Sequence, residues 1–132
     1  IDLASSYNMN FCIESDLNPS ELNNLIKQVG KKNLYINYDI GNSVSLGFDF
    51  EEELNAYGSL IEHIHIKDKK KRSSSVPLGL GDADFSKIIN KIKKINYKGP
   101  LVFESARGNN FVEDIKLIQN QMSFFKHLWY KN

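Results

Sequence analysis

With 132 residues, 17 Lys and Arg against 16 Asp and Glu, and a formal charge of +1, the chain has the size of one domain with a sizeable core, and it lacks the basic excess of a nucleic-acid protein. A single cysteine, Cys12, excludes an internal disulfide and a cysteine-rich zinc site. No apolar run approaches the roughly 20 residues that cross a bilayer, and no signal-peptide pattern opens the chain, so it reads as a soluble protein compatible with a reducing cytoplasm.

FCIES, residues 11–15, reads as a short strand ending near a carboxylate. In DLNPSELNNLIKQVG, Asn18 or Ser20 can cap a helix, Pro19 suits its first turn, and Leu22, Leu25, Ile26 and Val29 recur at helical spacing before Gly30 stops it. NLYINYDIGNS supplies a second strand ending at Asp39, with Gly41 and Asn42 marking a turn. A weaker helix is expected over Phe50–Tyr57, then a histidine-bearing strand over residues 60–66. Residues 67–83 form the longest irregular stretch; its basic run KDKKKR is most simply a solvated loop. Asp84 then caps a helix with the apolar stripe Phe85, Ile88, Ile89, Ile92 and Ile95, PLVFES is a fourth strand, and residues 112–130 form a long closing helix.

Four successive strand and helix units predict an α/β chain with a parallel sheet covered by helices, either doubly wound or part of a (β/α)₈ barrel. The sequence contains no GxGxxG after a strand and no GxxxxGK, which argues against dinucleotide and nucleotide binding.

Side chains alternate between the faces of a strand. His63, His65 and Lys67 therefore oppose Ile64 and Ile66; Tyr35, Asn37 and Asp39 oppose Leu34, Ile36 and Tyr38; Cys12 and Glu14 oppose Phe11 and Ile13; Val102 and Glu104 oppose Leu101 and Phe103. Each strand carries one polar residue near its C-terminal end: Glu14, Asp39, His65 and Glu104. Taken singly, a strand-final carboxylate is more often a cap than a ligand. Repetition at four strand ends, on the rim where parallel α/β folds place their sites, points instead to convergence. Three crowded carboxylates repel, and one divalent cation, Mn²⁺, Mg²⁺, Co²⁺ or Zn²⁺, relieves the conflict.

FCIES, YDIGNS with GFD following, HIHIKD, PLGLGDADF and NYKGPLVFES together resemble, in order, the xylose isomerase-like TIM barrel family of sugar phosphate isomerases and epimerases. The resemblance implies the C-terminal half of such a barrel, strands five to eight, across residues 1–132. It implies one divalent metal on Glu14, Asp39, His65 and Glu104, with Glu14 and Glu104 as the acid/base pair acting through an enediolate. It further implies a small sugar or sugar phosphate as substrate, with Asn42, Lys71, Arg72 and Arg107 as candidate binding residues. Asn42 stands where epimerases of free ketoses commonly carry histidine.

A complete barrel needs about 250 residues, so self-association or a missing N-terminal half is expected. Alternatives are a polyol dehydratase on the same scaffold and an inactive or binding-only half barrel. An AP endonuclease is a weaker fit, since its trinuclear cluster needs more histidines than the three present.

Overall fold

Strands β1 (Phe11–Ile13), β2 (Leu34–Asp39), β3 (Ile61–Ile66) and β6 (Leu101–Phe103) form one parallel sheet in the order β1-β2-β3-β6. The computed structural model describes residues 1–104 and 106–131. Each strand of the sheet lies beside the preceding one, helices α2 (Pro19–Val29), α4 (Phe50–Tyr57) and α5 (Phe85–Lys94) lie in the connections, and α6 (Phe111–Lys131) follows β6. The alternating α/β order expected from the sequence is present.

The helix ends follow from local chemistry. Asn18 caps α2 in a reciprocal box: its Oδ1 accepts from the Glu21 amide at 3.0 Å, and its own amide donates to Glu21 Oε2 at 3.1 Å. Pro19 opens the helix, where its missing N–H is no loss, and Gly30 closes it in the left-handed conformation. Asp49 and Asp84 cap α4 and α5 through amides of Glu51, Glu52 and Lys87.

The core lies between the helices and one face of the sheet. Ile36, Ile64 and Ile66 point into it and meet Leu22, Ile26, Leu54 and the α5 stripe Phe85, Ile88, Ile89 and Ile92, all buried. Helix α6 joins through Phe125, set edge-on to Phe103 at 5.7 Å. The opposite face, with Cys12, Tyr35, Asn37, His63, His65 and Val102, is half-buried or exposed. On α6, Phe111, Val112, Ile115, Ile118 and Met122 are exposed as well. No described helix is long and apolar enough to cross a membrane.

Three features differ from the sequence-based expectation. A short helix α1 (Asp2–Ser6) precedes β1. The presumed turn at Gly41 and Asn42 is the first turn of a helix, α3 (Ile40–Leu46), capped by Asp39 and closed by a left-handed Gly47. Its Gly, Asn, Ser and Val content is poor for helix formation, but burial of Ile40, Gly41 and Ser43 against the sheet outweighs propensity. Finally, the stretch after β3 contains a small antiparallel hairpin, β4 (Asp68–Lys69) with β5 (Ser75–Val76).

Asp68 holds that stretch in place. Its side chain is almost wholly buried and accepts from the backbone amides of Gly79 and Gly81, both at 2.9 Å, and of Ala83 at 3.3 Å. Gly81 is required for so close an approach, since a Cβ there would fall 2.0 Å from Asp68 Oδ1. Asp68→Ala should therefore lower unfolding free energy by about 2–4 kcal/mol, as three amides lose a charged acceptor. Urea denaturation measures the loss, and hydrogen exchange at Gly79, Gly81 and Ala83 should accelerate beyond that of the sheet amides.

Candidate metal centre

The parallel ladder brings the strand-end residues together. Asp39 is the register partner of His65, and His65 that of Val102, two residues before Glu104; on the other side, Ile13, just before Glu14, pairs with Ile36. As a result one ligand atom from each of Glu14, Asp39, His65 and Glu104 lies within 4.8 Å of all the others. His65 Nδ1 is 2.9 Å from Glu104 Oε2, 3.5 Å from Glu14 Oε2 and 3.8 Å from Asp39 Oδ2.

Burial is uneven across the cluster. The Asp39 side chain is 1% exposed, that of His65 23%, and those of Glu14 and Glu104 37% and 46%. Asp39 forms the floor and the two glutamates the rim. Asp39 Oδ1 also accepts the Asn42 amide at 2.7 Å, so the same carboxylate caps α3 and offers Oδ2 to the site.

Three further side chains complete the polar network. Lys67 reaches Asp39 Oδ2 at 3.3 Å and makes a short ion pair with Glu104 Oε1. Asn37 donates to Glu14 Oε2 at 2.8 Å and lies 3.2 Å from His65 Nε2, while its buried Oδ1 has no protein partner. Asn42 donates to Glu14 Oε1 at 2.7 Å and accepts from Lys69 Nζ at 3.3 Å.

These surroundings separate the carboxyl groups electrostatically. Burial, then the Asp39 charge, pushes Glu14 up. Burial also pushes Asp39 up, against the Asn42 amide and Lys67. The Lys67 hydrogen bond holds Glu104 below the usual carboxylate range despite partial burial. Burial opposes the charge on Lys67 itself, but its bond to Glu104 and the charge of Asp39 outweigh this and raise it.

Beneath the floor lies a buried carboxylate that sequence patterning did not single out. Glu53 Oε2 accepts from the Tyr38 hydroxyl at 2.9 Å and, at shorter range, from Ser43; Oε1 accepts from Tyr57 at 2.8 Å. Tyr38 directly precedes Asp39, and Ser43 directly follows Asn42, so Glu53 in α4 ties β2 to α3 at the site. Burial pushes Glu53 up, opposed by its three hydroxyl donors.

Of the residues expected to meet substrate, Asn42 lies in the cluster's network. Lys71 is exposed, with its side chain against Gly47 and its amide donating to Asp82 Oδ2 at 2.8 Å. Arg72 is exposed at a left-handed position in the same loop, and Arg107 is exposed between β6 and α6. Lys67 and Asn37 were absent from the expected set, although strand alternation already placed them on the face of His65 and Asp39. Glu53 carried no comparable signal, because its partners come from three separate elements.

The sequence pattern of the xylose isomerase-like TIM barrel family matches residues 1–128. An inosose dehydratase of Clostridium tetani is 31% identical over 118 residues, covering 73% of this chain and 40% of the relative. A Haemophilus influenzae protein provisionally named L-ribulose-5-phosphate 3-epimerase is 33% identical over 88 residues, covering 61% of this chain and 31% of its own length. A xylose isomerase domain protein of Planctomyces limnophilus superposes with a TM-score of 0.87 at 24% identity, over 97% of this chain and 49% of that one. A xylose isomerase-like TIM barrel protein from Mycobacterium smegmatis in complex with magnesium gives 0.71 at 20% identity, over 98% and 47%. The chain thus spans less than half the length of these proteins.

The Glu53 network yields a stability test. Tyr38→Phe removes one of three donors and should reduce unfolding free energy by about 1 kcal/mol; Glu53→Ala strands three hydroxyls and should cost about 3 kcal/mol or more. Chemical denaturation of the two variants checks both the order and the gap.

Proposed function

The chain belongs to the xylose isomerase-like TIM barrel family, and we propose that it is the metal-carrying half of an isomerase or epimerase of a sugar or sugar phosphate. The convergence of Glu14, Asp39, His65 and Glu104 supports this most directly. Named relatives include sugar epimerases and inosose dehydratases. In this reading β1, β2, β3 and β6 are strands five to eight of the barrel. The free edges of β1 and β6 would be covered by the N-terminal half or by a second copy.

The donor set suits the expected ion. Three carboxylates and one imidazole nitrogen match Mg²⁺, Mn²⁺, Co²⁺ or Zn²⁺, and the magnesium complex of the Mycobacterium smegmatis structure supports a divalent ion on this scaffold. Glu14, Asp39, His65 and Glu104 would hold it. Once bound, it would polarise adjacent sugar oxygens and acidify the C–H between them.

The chain's own groups then handle the proton. Glu14 follows β1 and Glu104 follows β6, the outer strands of the sheet, so they approach a centrally held sugar from opposite sides. One removes the proton, and the other, or the same one, returns it. Asn42 would meet a sugar oxygen. Lys71, Arg72 and Arg107, on loops following β3 and β6, are the cations available to a phosphate. A polyol dehydratase is the second reading, favoured by the identity to the Clostridium tetani protein. It shares the proton abstraction and differs in losing water, so product analysis separates the two.

Two outcomes test the proposal in the intact protein. Calorimetry should find one divalent ion bound, with affinity falling at least tenfold in His65→Ala and in Asp39→Asn. Asparagine can still cap α3, so the second variant should fold; unchanged affinity in both would overturn the ligand set. Glu104→Gln should retain measurable metal binding but lose about 10²- to 10⁴-fold in exchange of the substrate C–H with deuterated solvent. Normal exchange with metal bound would leave Glu104 a ligand only.

A further inference from the structure

Lys67 stands apart from the chain's other lysines. Its side chain is only 12% exposed, and its ammonium bridges Asp39 and Glu104, two of the four candidate ligands. The fold reserves room for it. Gly41, buried in the first turn of α3, would with a Cβ approach Lys67 Cγ to 2.8 Å and both Cβ and Cδ to 3.1 Å. Glycine within a helix costs about 1 kcal/mol relative to alanine. At this position it is the residue that lets the lysine stem lie against the helix and deliver its charge between two carboxylates.

We infer that Lys67 is a built-in counter-cation that sets the affinity and charge selectivity of the metal centre, an inference resting on the metal-binding reading above. Asp39, Glu14 and Glu104 as carboxylates bring three negative charges, and Lys67 returns one positive, leaving two negative charges among these four side chains. That remainder matches a divalent ion. The lysine holds Asp39 and Glu104 together when no ion is bound, and an entering ion takes those oxygens in competition with it. Repulsion from the ammonium grows with ionic charge, so Lys67 weakens trivalent ions more than divalent ones.

A lysine serving only to brace the site predicts the opposite sign, since its loss would loosen the ligands and weaken binding. Mn²⁺ and Tb³⁺ affinities of wild type, Lys67→Met, Lys67→Arg and Gly41→Ala, measured by calorimetry on the intact protein, distinguish the two. Lys67→Met should bind Mn²⁺ about tenfold more tightly, on the scale by which one nearby charge shifts a carboxylate equilibrium. Its gain for Tb³⁺ should be larger still. Lys67→Arg should keep the wild-type Tb³⁺/Mn²⁺ ratio. Gly41→Ala keeps every charge, improves helix propensity, and should move the ratio toward that of Lys67→Met by displacing the stem.

Unchanged or weaker Mn²⁺ binding in Lys67→Met, with circular dichroism showing a folded protein, would overturn the inference while leaving the metal site standing. If Lys67→Met fails to fold, an unmoved ratio in Gly41→Ala would overturn it. Absence of Mn²⁺ binding by the wild type would overturn the metal reading and this inference with it.

Discussion

Asp39 divides its two oxygens between architecture and site. Oδ1 accepts the Asn42 amide and fixes where α3 begins; Oδ2 faces Lys67 and His65. A helix start and a cluster of titratable groups therefore depend on one buried carboxylate. The parallel ladder sets the rest, since neighbouring strands run about 4.8 Å apart and Asp39 pairs in register with His65. Groups at successive strand ends on one face have little choice but to crowd.

Crowding carries an electrostatic cost that the molecule offsets locally. Burial drives both Glu14 and Asp39 up, with the Asp39 charge adding to the first and the Glu104 charge to the second, while Lys67 pairs with Glu104 and His65 lies 2.9 Å from it. Asn37 supplies an amide between Glu14 and His65 but leaves its own buried oxygen without a protein partner. Below, the hydroxyls of Tyr38, Ser43 and Tyr57 converge on Glu53 and anchor both sides of the β2 to α3 junction. The crowded cluster is thus mounted on a well-satisfied buried network.

The elements most legible in the sequence were those whose signals are local. Asn18, one of two candidate caps, together with Pro19 and Gly30 bounded α2, and the isoleucine stripe of α5 is buried as its spacing predicts. Helix α3 escaped because IGNSVSL resembles a turn by composition, and its stability comes from burial against the sheet rather than from propensity. The hairpin β4 and β5 escaped because its strands are two residues long, too short for alternation to register; it is held by Asp68 reaching amides 11, 13 and 15 residues away.

By itself the sequence determined the alternation of strands and helices, the face on which each polar strand-end residue lies, and the set Glu14, Asp39, His65 and Glu104, because these depend on periods of two and 3.6 residues. Only the tertiary structure decided that these four ends meet, that Lys67 and Asn37 join them, and that Glu53 supports them from below. Those relations depend on strand register and on helix packing between residues far apart in the chain, such as Lys67 and Glu104, which are separated by 37 positions. Gly41 shows the difference at one position: along the chain it resembles a turn glycine, whereas in the fold it is the space occupied by the stem of Lys67.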